Sequence, residues 1–119
     1  MFSNVRIGAV EVPMKAMASV DFDYRNIFHE DPTKLQSDPN FGTADLINFL
    51  MRMAFVMAKA AELDNRKEMA KLNESMFYDW LDQFNRAEFM DALEGIKAVY
   101  DGQSVTTSEA KKNSDEPSE

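Results

Sequence analysis

His29 is the only histidine of the chain, and two acids follow it, Glu30 and Asp31. An imidazole beside carboxylates is the raw material of a general base. Such a base needs a positioned partner and a pocket, and "FHEDPTK" is rich in turn residues. The stretch reads as a loop with solvated side chains. Asp21 and Asp23 flank Phe22 on a helical pattern, which sends their carboxylates in different directions. They make a poor cation site. Asp79 and Asp82 are three apart and share a helix face, but no further ligand stands near them. Asn73-Glu74-Ser75 fits the acceptor pattern for N-glycosylation, which a cytoplasmic protein does not use. There is no glycine-rich phosphate loop. With no cysteine, thiolate metal sites and disulfides are excluded. The expectation is a protein with no catalytic residue, no metal and no cofactor.

Bulk properties point the same way. A chain of 119 residues is one domain in size, and 45% hydrophobic content supplies a modest core. Net charge is −8 without a Lys/Arg cluster, so no nucleic-acid partner is expected. "MFSNVRIGAVEV" lacks the basic start and apolar run of a secretory signal. The most apolar segment, "LINFLMRMAFVMAKAA", is interrupted by Arg52 and Lys59 and is short for a bilayer span. These features predict a soluble cytoplasmic protein with no membrane partner.

The elements follow from periodicity. Val5 and Ile7 alternate with Arg6, Gly8-Ala9 can turn, and Val10 and Val12 alternate with Glu11. That pattern is a β-hairpin, with Pro13 marking an edge or the end of the strand. "SVDFDYRNIF" reads as a helix capped by Ser19. "HEDPTKLQSDPNFG" reads as a loop with one short turn near Thr33–Gln36. From Gly42 or Thr43, Leu46, Leu50, Met53, Met57 and Ala61 recur at helical spacing, widened by Ile47, Met51, Ala54, Phe55 and Ala58. A helix apolar on most sides is either buried on most sides or meets a partner. The charged "DNRKEMAKLN" continues this helix or connects it onward. Asn73 caps a helix with Met76, Phe77, Trp80, Leu81 and Phe84 on one side. Asn85 caps another with Phe89, Leu93, Ile96, Val99 and Tyr100, ended by Gly102.

The predicted fold is α+β and mainly α-helical: an N-terminal β-hairpin, then three to four packed helices. Residues 1–102 form the domain. Residues 103–119, "QSVTTSEAKKNSDEPSE", hold too little apolar surface to offset ordering entropy and are expected to be a disordered polar tail. Nine methionines, with Met51, Met53 and Met57 close together, suit either core filling or an adaptable binding surface. By elimination the chain is a binding or assembly protein.

Three stretches, "VPMKAMASVDFDYRNIF", "MFYDWLDQF" and "LEGIKAVYDG", are arranged around the long "DLINFLMRMAFVMAKAAEL" helix. In this order the chain resembles the tail assembly chaperones of long-tailed phages infecting Gram-positive bacteria. The resemblance spans about Val10 to Gly102. Tyr24-Arg25 with Phe28, and "YDWL", carry most of it. His29 departs from it, since relatives often place glycine after the phenylalanine. The resemblance implies a protein of the host bacterial cytoplasm, absent from the mature virion. Its partner would be the tape measure protein, kept soluble until tail tube protein polymerises around it. It also implies a minor longer form, made by −1 ribosomal frameshifting near the end of the gene, that recruits tail tube protein. Lys111-Lys112-Asn113 can be encoded AAA-AAA-AAC, which contains a slippery heptamer. Helix-in-groove binding of the tape measure draws attention to Met51, Phe55, Met57, Phe77 and Trp80. A homo-oligomer, with hairpins pairing between subunits, stays open. So do two rivals: a structural tail or tail-completion protein, and an acidic protein-binding regulator.

Overall fold

The structure, a computed structural model, describes residues 2–63 and 65–102. The tail expectation and the frameshift region Lys111–Asn113 lie outside the described residues. Two strands, β1 (Phe2–Ile7) and β2 (Val10–Lys15), form an antiparallel hairpin. Among the described residues seven helices follow: α1 (Val20–Phe28), α2 (Pro32–Ser37), α3 (Thr43–Leu63), α4 (Arg66–Met69), α5 (Glu74–Leu81), α6 (Arg86–Asp91) and α7 (Leu93–Tyr100). The fold is thus α+β and mainly helical.

The hairpin register follows from its turn. Ile7 pairs with Val10 across Gly8-Ala9, and Gly8 carries φ +63°. A left-handed first position is what a type II′ turn asks for, and glycine reaches it at no steric cost. Counting away from that closing pair, Asn4 and Pro13 oppose each other as a non-hydrogen-bonded pair. Pro13 therefore sits inside β2, and its missing N–H faces away from β1 and costs no ladder bond. Val5, Ile7, Val12 and Met14 are buried on one face.

Helix α3 is the axis of the molecule. It packs against β2, α1, α4, α5 and α7. Every residue from Met53 to Ala58 is buried, so this stretch is enclosed on all sides by the chain itself. Its start is fixed by the Asp45 carboxylate, which accepts the Gly42 N–H at 2.9 Å. Asn65, Asn73 and Asn85 cap α4, α5 and α6 through their side-chain oxygens.

Four details differ from the sequence expectation. Ser19 does not cap α1. It is already helical at φ −83°, ψ −5°, so its hydroxyl cannot reach forward, and the Val20 N–H bonds the Met17 carbonyl instead. The turn near Thr33–Gln36 is a full short helix, because Asp31 caps it and Pro32 opens it. Within the charged segment expected to continue α3 or connect it onward, Arg66–Met69 form a short helix of their own, α4, behind the Asn65 cap. The last predicted helix breaks at Ala92, whose N–H bonds the Phe89 carbonyl three residues back. That tightened turn separates α6 from α7 and lets Phe89 face Trp80 at 5.9 Å, while Ile96 and Val99 enter the core.

Candidate functional site

Burial sorts the five candidate partner-binding residues. Phe55 and Met57 are fully buried, and Phe77 and Trp80 are 5% and 8% exposed. Met51 alone of the five is half-buried, and it too packs on the core. The rings explain why. Phe55 lies 5.8 Å from both Phe77 and Trp80, and Phe28 stands edge-on to Phe77 at 5.2 Å. These tilted and edge-on pairs join α1, α3 and α5 into one aromatic cluster. Phe55, Met57 and Phe77 are therefore core, not an accessible surface. Periodicity identified the apolar stripe but not which of its members another element covers.

Trp80 differs from the other three in lining open space. On one side a cleft of about 350 Å³ lies between α3, α4 and α5, with Leu63, Leu72, Met76 and Trp80 among its walls. On the other side a depression of about 270 Å³ is lined by Val12, Pro13, Ala58 and Ala61. Met76 is 42% exposed, unusual for a large apolar side chain beside a cleft. Lys59 and Glu68 stand on the rim of the first cleft, and Glu62 on that of the second. The sequence signal for this site was Leu72, Met76 and Trp80 at four-residue spacing. It was obscured because the Asn73 cap separates Leu72 from the helix that carries the other two.

The residues first considered for chemistry do not come together. The carboxylate of Glu30 accepts from the Tyr24 hydroxyl at 3.1 Å and from Arg52 at 2.8 Å. Asp31 caps α2 and stands 3.9 Å from Arg25. His29 is exposed, so the two acids serve other partners. Asp21 and Asp23 diverge as their spacing requires. Asp21 accepts from the Tyr100 hydroxyl at 2.8 Å, and Asp23 from Arg66. Burial, reinforced by this bond, pushes the Tyr100 hydroxyl up to about 12. Burial likewise raises Tyr24 to about 12. Asn73 accepts the Met76 N–H at 3.1 Å. Among the described residues no group of three metal-ligating side chains converges, and no helix is long and apolar enough to cross a membrane.

The chain was compared with protein-family models, curated proteins and solved structures, and none of the three comparisons gave a match.

Proposed function

We propose that this protein is a phage tail assembly chaperone that binds helical segments of the tape measure protein and keeps them soluble during tail morphogenesis. The observation that carries the reading is the pair of apolar depressions on either side of Trp80. A tape measure without its tube presents amphipathic stripes, and an apolar groove on a firm aromatic base is the surface such a helix needs. The methionine at its edge, Met76, can repack against varied helices. The departure at His29 concerns residue type more than backbone. His29 holds φ +61°, ψ +33°, a conformation that suits the glycine common at this position in the family it resembles. The protein acts in the host cytoplasm and is left out of the virion. A minor form extended by frameshifting near Lys111–Asn113 recruits tail tube protein.

Co-expression with the tape measure protein tests the reading. The full chain raises the soluble fraction of the tape measure, and Met76→Glu removes that effect with no change in melting temperature. A tape measure equally insoluble with and without the chain sinks the proposal. Intact-mass analysis of the product of the native gene tests the longer form. A minor species that diverges near Lys112–Asn113 supports it, and a single species ending at Glu119 removes it. Mass spectrometry of purified virions separates a chaperone from a structural tail protein, since only the latter is retained.

A further inference from the structure

The groove beside Trp80 is apolar at its floor and unevenly charged at its rim. Lys59 meets Glu62 at 3.2 Å, and Lys71 meets Glu68 at 3.3 Å. Both cations of the larger cleft thus already have an acid. Asp79 lines the same cleft and has no ion-pair partner among the described residues. Helix α5 bears Glu74 and Asp79, ends on Asp82, and has no basic residue. From Glu74 to Glu94 the only cation is Arg86. The α3/α4 wall is close to neutral, while the α5 wall presents Asp79, a carboxylate with no ion-pair partner among the described residues.

We infer that the groove selects an amphipathic helix whose apolar stripe is bordered by Lys or Arg on the side that meets α5. The inference rests on the groove being a helix site, as proposed above, and adds the chemistry of the partner. Two depressions that share Trp80 as a wall accept two apolar anchors of the incoming helix. Basic residues beside those anchors face Asp79. An acidic border there brings like charges together and is rejected. Charge thus sets which tape measure segments are taken and in which direction they lie, and apolar contact holds them.

Trp80 is the single tryptophan, so its emission reports occupancy of the groove directly. Two synthetic helical peptides with the same leucine stripe, one bordered by lysine and one by glutamate, are titrated into the full chain. The lysine peptide is expected to shift Trp80 emission and to bind about tenfold more tightly at low salt, with the difference shrinking as salt rises. In Asp79→Asn the preference is expected to disappear while the fold, followed by circular dichroism, is kept. Equal affinity of the two peptides overturns the charge selection and leaves the groove as a helix site. A preference that survives in Asp79→Asn also overturns it, since the selectivity then comes from the overall charge of the chain. Silence of Trp80 towards both peptides overturns the groove reading itself. Self-association of the chain alone, abolished by Met76→Glu, would place a second copy in the groove and overturn the proposal.

Discussion

Arg66 grips Asp23 through both carboxylate oxygens, at 3.0 and 2.9 Å, across 43 residues of sequence. Asp23 is the one charged side chain buried among the described residues, at 4% exposure, whereas the Arg66 side chain is 60% exposed. The fork ties α1 to α4, and the bound carboxylate raises the pKa of the guanidinium above its ordinary value. Arg66→Ala leaves a buried carboxylate without its donors. The expected loss is about 1–3 kcal/mol, kept below the figure for a fully buried pair because water reaches the arginine side. Arg66→Lys should recover only part, since an ammonium cannot form the fork. Urea unfolding measures both, and an unchanged midpoint in Arg66→Ala would show that the fork contributes nothing.

Two tyrosines predict alkaline lability. Tyr24 and Tyr100 are held near 12, the first by burial and the second by burial with its bond to Asp21. In the unfolded chain both return to about 10. Below pH ~10 both states keep the proton and the stabilisation is complete. Between about pH 10 and 12 the unfolded chain ionises first, so stability falls. The share of the fully buried Tyr24 is on the order of 2 kcal/mol, and that of the half-exposed Tyr100 is smaller through solvent screening. Lysines also discharge in this range, so the variant with Tyr24→Phe and Tyr100→Phe is the reference. Its urea midpoint should fall less between about pH 8 and pH 11.5 than that of the parent chain. Parallel declines would show that the two hydroxyls play no part.

The hairpin turn depends on Gly8. A Cβ there would meet the carboxylate of Glu88, but that side chain is exposed and can swing away. The backbone cannot yield as easily, because φ is +63°. Gly8→Ala should therefore cost about 1–2 kcal/mol, the ordinary penalty of a left-handed L-residue. Gly8→Asn should cost less, since asparagine tolerates this conformation. Thermal melts of the two variants give the order, and equal melting temperatures would contradict it.

Core and groove can be separated by paired substitutions. Phe55→Ser removes a ring that touches Phe28, Phe77 and Trp80, and is expected to cost about 3–5 kcal/mol. Met76→Ser lies at an exposed edge and should change stability by less than about 0.5 kcal/mol, yet weaken tape measure solubilisation. Comparable thermal losses in the two variants would place Met76 in the core and remove the groove as a binding surface.

Much of the fold was legible because its signals are local. Alternation around Gly8-Ala9 marks the hairpin, the Asn73 and Asn85 caps mark two helix starts, and 3.6-residue periodicity marks α3. The break at Ala92 carries no such mark. Alanine favours a helix, and no local residue type signals the tightened turn at Ala92 that separates α6 from α7. The site was half legible for a related reason. Phe55, Phe77 and Trp80 look alike in sequence, and exposure is decided by how α4 and α5 close over α3. The Asp23–Arg66 fork was illegible, since nothing local links two residues so far apart.

His29 closes α1 in the left-handed region, at φ +61°, and is the only non-glycine residue with positive φ among the described residues. Its N–H still bonds the Arg25 carbonyl at 2.8 Å, so the cap forms, but the Cβ is strained against the backbone at a cost of about 1–2 kcal/mol. The side chain is exposed, and removing it opens no cavity. His29→Gly relieves the strain but adds freedom to the unfolded chain, worth about 0.5–1 kcal/mol in the other direction. The net expectation is a gain of about 0.5 kcal/mol, whereas His29→Val should lose more than about 1 kcal/mol because β-branching resists this conformation. Urea midpoints of the two variants decide the matter. A destabilised glycine variant would mean that the imidazole makes a contact worth more than the strain it imposes.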